Sequence, residues 1–95
     1  MIPSDRIPTH PGVVLREEFL VPLGITQGAL AEHIGIPAKR VSELVRGKRG
    51  ITPSLAWLLA QTFETTPEFW LNLQASFDLA QSRPPATIPR LRVAG

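Results

Sequence analysis

Five basic side chains lie within eleven consecutive residues, and they are the strongest chemical signal in the sequence. They are Lys39, Arg40, Arg46, Lys48 and Arg49, with Glu43 the only acid among them, so residues 39–49 carry a net charge of +4. Such a cluster is typical of a surface that binds phosphate groups, as in nucleic acid. A solvated face without a ligand has the same composition, so charge alone leaves both interpretations open.

The charge is unevenly distributed along the chain. The 95 residues sum to only +2, but residues 83–95 contribute three arginines and no acid, so the chain outside this tail and the basic cluster carries −5. The molecule is therefore expected to be polarised, with a basic side for an acidic partner and an acidic remainder.

Residues for enzymatic chemistry are missing or badly spaced. The chain has no cysteine, and its two histidines, His10 and His33, do not stand at the helical spacing of a zinc pair. Glu17 and Glu18 are adjacent, so on a helix they point in different directions and cannot act as a paired acid and base. No glycine-rich phosphate loop follows a strand. We therefore expect no enzymatic activity, no metal and no cofactor.

Length and hydropathy predict one small domain. With 95 residues, 43% of them hydrophobic, the chain has enough apolar material for a single modest core. Residues 1–10 are polar and lack the apolar stretch of a secretory signal, and no run of about 20 apolar residues is present for a membrane span. These features predict a soluble protein of the cytoplasm.

Helical spacing of apolar residues, interrupted by proline and glycine, predicts an all-α fold of five helices with extended N- and C-terminal tails. Thr26, Thr52 and Thr66 are expected N-caps, and proline or glycine marks most of the helix ends. The predicted helices begin at Pro11, after Thr26, at Ile36-Pro37, after Thr52 and after Thr66. Residues 1–82 are expected to form the domain, and 83–95, with three prolines, an extended or disordered basic tail.

Residues 26–46 have the spacing of a helix-turn-helix. Counting from Gln27, the small Ala31 is fifth, where two helices approach closely, and Gly35 is ninth, where the chain turns. Val41 and Leu44 are fifteenth and eighteenth and anchor the second helix to the first. An ordinary helical hairpin also uses a glycine turn. The outward face of the third helix favours DNA binding, because its side chains are short or charged.

This outward face predicts how the third helix would read DNA. Lys39 is expected to reach guanine, and Glu43 to accept a hydrogen bond from a cytosine amino group. The Ser42 hydroxyl can bond to either a donor or an acceptor atom of a base. Arg40 lies off the centre of the face and is assigned to phosphate or to shielding the apolar seam. Thr26 and Gln27, at a helix N-terminus, and Lys48 and Arg49, beyond the third helix, are assigned to phosphate. The candidate DNA-binding residues are Thr26, Gln27, Ala38, Lys39, Arg40, Ser42, Glu43, Arg46, Lys48 and Arg49.

Several strings outside the helix-turn-helix resemble those of one family. They are His10-Pro11-Gly12, Leu15 to Leu20, Pro22-Leu23-Gly24, Gly47 to Pro53 and, most specifically, Thr66-Pro67-Glu68-Phe69-Trp70-Leu71-Asn72-Leu73-Gln74. Over residues 10–81 the chain resembles the HigA (VapI-related) type II antitoxins of the Xre, or Cro/repressor-like, helix-turn-helix superfamily. The resemblance implies a five-helix, repressor-like fold.

The resemblance also implies partners. Such a protein is expected to be a homodimeric repressor that binds an inverted-repeat operator of its own operon and neutralises a HigB-type mRNA interferase. The third helix would read the operator. The C-terminal helix would contribute to the dimer interface through Phe69, Trp70, Leu73 and Phe77, although a domain this small needs at least half of these aromatic and aliphatic side chains for its core.

Two alternatives remain open. A stand-alone transcriptional repressor without a toxin has the same local features, because DNA binding rests on the residues and toxin binding on resemblance alone. A pure interaction module that only occludes a toxin is the other alternative. A neighbouring reading frame for a small basic ribonuclease-like protein favours the antitoxin.

Overall fold

The computed structural model describes residues 8–94, and this part of the chain folds into five helices with no strand. The predicted all-α class is confirmed, while most of the predicted N-terminal tail lies outside the described residues. Helix α1 covers residues 11–23 in three continuous pieces, Pro11–Val14, Leu15–Leu20 and Val21–Leu23. The other helices are α2 (Gln27–Ile34), α3 (Ala38–Val45), α4 (Pro53–Phe63) and α5 (Pro67–Gln81).

The middle of α1 is a π-helix, which the sequence pattern did not predict. In a regular α-helix the ring of Pro22 would clash with the carbonyl group of Glu18, four residues earlier. Here the Val21 amide donates to the Arg16 carbonyl, five residues back, which widens the helix just before the proline. The helix therefore continues through Pro22 to residue 23.

Local hydrogen bonds set the starts of the other helices. The hydroxyl oxygens of Thr26, Thr52 and Thr66 accept from the amides of Ala29, Leu55 and Phe69 at 3.0, 3.2 and 3.1 Å. All three predicted N-caps are confirmed. The third helix begins at Ala38, after the predicted start at Ile36-Pro37, because Pro37 is extended (ψ 141°) and occupies the N-cap position.

The core brings all five helices together. Leu15, Leu30, Leu44, Leu59 and Trp70 come one from each helix and are almost completely buried. Burial of a leucine-sized side chain contributes about 1.5–3 kcal/mol, so this layer is a main source of stability. The core holds α3 by its inner side and leaves the opposite side to solvent.

Beyond α5 the chain is extended and exposed. Residues 83–94 contain no helix or strand and all are exposed, and the molecule measures 59 Å along its longest axis against 28 and 25 Å along the others. Within the described residues, no helix is both long and apolar enough to cross a membrane.

Candidate nucleic-acid interface

The α2–α3 pair has the geometry that the spacing predicts. Gly35 ends α2 with φ +76°, a backbone conformation that costs a glycine little, and α3 follows after two further residues. Ala31 of α2 is buried with Val41 and Leu44 of α3 in the same core cluster. Because its inner side is fixed in this way, α3 presents its other residues outward.

The outward residues of α3 and its flanks form the candidate DNA-binding surface. Ala38 and Lys39 are exposed at the N-terminus of α3, Ser42 is half-buried in its middle, and Arg46 is exposed just after its end. At the start of α2, Thr26 is exposed and Gln27 half-buried. Lys48 and Arg49 are exposed in the loop that follows α3, so the structure places short and basic side chains on the solvent side of the helix-turn-helix.

Arg40 differs from the other basic residues because its side chain is half-buried. Among the described residues, its Nε is a buried side-chain nitrogen without a hydrogen-bond partner. A buried unpaired donor is costly, so the guanidinium is expected to bind an acceptor when one is available. The predicted role of Arg40, at phosphate or in shielding the apolar seam, stays a prediction.

Glu43 and Arg49 form an ion pair that the sequence did not indicate. Arg49 donates from Nε and Nη2 to the same Glu43 carboxylate oxygen, at 3.2 and 3.1 Å. The Glu43 side chain is only 23% exposed, against 45% for Arg49. The predicted roles of Glu43 at cytosine and of Arg49 at phosphate therefore compete with a contact between the two residues.

Two residues that support this surface were not predicted to touch it. A Cβ on Gly12 would lie 1.8 Å from the carbonyl oxygen of Leu44, so the start of α1 touches the backbone of α3. Nδ1 of His10 caps α1 by accepting from the Gly12 amide at 2.9 Å. Burial lowers the pKa of His10, although the negative charge of Asp78 acts in the opposite direction. The lowered pKa favours the neutral imidazole, in which Nδ1 can accept a hydrogen bond. The string His10-Pro11-Gly12 is part of the family resemblance, but the sequence alone did not reveal the contact of Gly12 with Leu44.

The predicted dimer residues of α5 are largely engaged within the chain. Trp70 is fully buried and donates from its indole nitrogen to the Thr65 hydroxyl at 2.8 Å, so it is one of the four residues that serve the core of the chain. Phe77 packs edge-on against His10, with ring centroids 4.8 Å apart. Leu73 and Phe77 are half-buried, and Phe69 is 38% exposed. The need of a small domain for large core side chains decides this division.

Comparison with known proteins agrees with this geometry. A helix-turn-helix family model matches residues 15–70. The solved structure of Pseudomonas aeruginosa antitoxin HigA with the higBA promoter is 41% identical, with a TM-score of 0.77 over 79% of this chain and 82% of that one. The chain belongs to the HigA helix-turn-helix family.

Two other similar proteins extend the comparison. The antitoxin GraA in complex with its operator is 34% identical and has a TM-score of 0.84 over 98% of this chain and 100% of that one. Virulence-associated protein I of Dichelobacter nodosus is 43% identical over 74% of this chain. The chain spans about two thirds of the length of that relative, 65%. HigA-family proteins are DNA-binding regulators and not enzymes.

Proposed function

We propose that the chain represses its own operon as a homodimer bound to an inverted-repeat operator, and that it neutralises a HigB-type mRNA interferase in the cytoplasm. The outward face of α3 carries the DNA-binding part of the proposal, because Ala38, Lys39 and Ser42 lie on the solvent side of a helix whose inner side is buried. Short and basic side chains on such a face suit the major groove. The promoter and operator complexes of similar antitoxins support the same assignment.

Dimerisation is supported by apolar side chains that a single chain leaves in water. Leu79 near the end of α5 is 73% exposed, and Ile88, Leu91 and Val93 of the tail are 83–86% exposed. A partner that covers these side chains would remove apolar surface from water, which favours association. Phe69, Leu73 and Phe77 of α5 stay in the proposed interface, and a two-fold dimer would hold its α3 helices roughly 34 Å apart.

Operator binding by the full chain is the test of the DNA-binding proposal. The probe is a duplex that carries the region ahead of the chain's own operon, and the control is a duplex of the same composition with a scrambled sequence. We expect tighter binding to the native duplex and a steep fall in affinity as salt rises, because the +4 segment displaces counterions from several phosphates per dimer. Equal affinity for both duplexes, or affinity that is indifferent to salt, would contradict the proposal.

Toxin binding is proposed for the acidic side of the molecule. Glu17 and Glu18 are exposed on α1, and Glu18 lines a shallow groove of about 540 Å³ together with Phe19, Phe63 and Glu64. Carboxylates beside aromatic rings suit a basic protein partner, and the basic surface of α3 remains available for DNA. This arrangement supports simultaneous binding of a basic toxin and an operator.

Charge reversal at Glu17→Lys and Glu18→Lys tests this surface. The partner is the product of a neighbouring reading frame that encodes a small basic ribonuclease-like protein. We expect the double variant to lose co-purification with the toxin and protection of co-expressing cells, while operator binding persists. Glu32→Lys, an exposed change on α2, is the control and should retain both toxin neutralisation and operator binding. If the double variant still neutralises, the surface is wrong; if the unmodified chain does not neutralise, the stand-alone repressor is favoured.

A further inference from the structure

The loop that carries Lys48 and Arg49 is fixed at its start by α3. The Lys48 amide donates to the Glu43 carbonyl at 2.8 Å, and the Gly47 amide donates to the Leu44 carbonyl at 3.0 Å. The Arg49 guanidinium is held by the Glu43 carboxylate. These bonds are local in sequence, and they define the first half of the loop.

The end of the same loop is fixed by α5, from 23 residues away in the sequence. The Ile51 amide donates to Oε1 of Gln74 at 2.7 Å, and Nε2 of Gln74 donates to Oδ1 of Asp78 at 2.9 Å. The side-chain amide of Gln74 also packs directly on Gly50, where an added Cβ would lie 2.9 Å from Oε1. Both ends of the Gln74 amide are thus hydrogen-bonded, which sets its orientation.

The packing around Gly47 adds a second contact with the body of the domain. A Cβ on Gly47 would lie 3.8 and 3.9 Å from two ring carbons of His10, so the loop passes over the imidazole. His10 in turn packs on Phe77, one turn after Gln74 in α5. The loop therefore rests on the start of α1 and on the side of α5 that carries Gln74.

We infer that Gln74 is a positioning residue for operator binding: it holds the loop at Gly50 and Ile51, so that Lys48 and Arg49 face the phosphates beside α3. The inference rests on the proposed DNA-binding function and deepens it. The proposed role of Gln74 is to act on DNA through the loop and not by a contact of its own with base or phosphate. Without its bond the Ile51 amide loses an anchor and the loop gains freedom, which binding to DNA must then remove.

Gln74→Met tests the inference, because methionine has a similar length and cannot make either hydrogen bond. We expect its affinity for the native operator to fall about five- to tenfold, as for the removal of one hydrogen bond. The slope of log affinity against log salt concentration should become shallower by about one for each phosphate per dimer that the loop no longer reaches. The preferred bases should be unchanged. A purely structural role would lower stability without moving the salt dependence.

Two further variants complete the test. Gln74→Glu with Asp78→Asn keeps the net charge and places a carboxylate oxygen before the Ile51 amide. The bond to residue 78 is re-formed in the opposite direction, from an amide donor at 78 to a carboxylate oxygen at 74, so wild-type affinity and salt dependence should return. Asn72→Ala, an exposed change on the same helix, is the matched control and should bind as the wild type does. Wild-type affinity and salt dependence in a folded Gln74→Met variant would overturn the inference.

The outcomes separate this inference from the DNA-binding proposal. If the unmodified chain shows no salt-dependent operator preference, the proposed function fails; if it binds and only Gln74→Met has no effect, only the positioning role fails. Should Gln74→Met not fold, the exposed change Asp78→Ala decides, because it frees Nε2 of Gln74 and leaves the core intact. We expect a two- to threefold loss and faster hydrogen exchange at the Ile51 amide, and unchanged values of both would overturn the inference.

Discussion

Gly12→Ala is expected to lower the free energy of unfolding by about 3 kcal/mol, as for an overpacked core position. The added Cβ would lie 1.8 Å from the Leu44 carbonyl oxygen and 2.7 Å from its carbonyl carbon. These atoms belong to the backbone of α3, so they cannot rotate away as the end of a flexible side chain can. The start of α1 must move away from α3, which exposes part of the core.

Urea unfolding followed by circular dichroism measures this loss. Gly28→Ala is the matched control, because a Cβ there would meet no atom within 4 Å and the residue lies in α2. The free energy of unfolding of Gly28→Ala should rise by about 0.5 kcal/mol, since alanine has a higher helix propensity than glycine. Equal stability of Gly12→Ala and the wild type would show that α1 and α3 do not meet at this position.

Lys39→Ala is expected to weaken binding to the native operator about fivefold to 150-fold, equivalent to about 1–3 kcal/mol, and to relax the preference at one base position. Lys39 is exposed on the outward face of α3, one residue after the helix begins. The N-terminal residues of a recognition helix reach furthest into the major groove, where a lysine donates to guanine.

Titration of wild-type and single-base-substituted duplexes measures both effects. Ser42→Ala, on the same face, should show a loss in the same range at a different base. Arg16→Ala removes an equal charge from α1, where the arginine is paired with Glu17 at 2.7 Å, and should bind as the wild type does. If neither Lys39→Ala nor Ser42→Ala weakens binding, α3 is not the recognition helix.

Features that depend on a few neighbouring residues could be predicted from the sequence. The caps at Thr26, Thr52 and Thr66 are formed by a hydroxyl and an amide three residues later, so residue type and position suffice. The turn at Gly35 and the buried positions of Val41 and Leu44 likewise follow from spacing along a helix. The all-α fold, the helix-turn-helix and its solvent-facing side are therefore consequences of local sequence.

Contacts between distant segments could not be predicted in the same way. Gly12 touches Leu44 and Gln74 holds Ile51 only because five helices pack in one arrangement, and no local pattern gives the distance between them. The same packing buries Trp70, which sequence alone left divided between core and interface.

The sequence by itself determined which residues form helices and which side of α3 is basic, because helix caps and periodicity act over three or four residues. Only the tertiary structure decided how that basic side is held. The start of α1 and Gln74 of α5 support the loop after α3 through contacts that form when the core closes. Shape complementarity between helices far apart in the chain is the physical reason, since it exists only in the folded molecule.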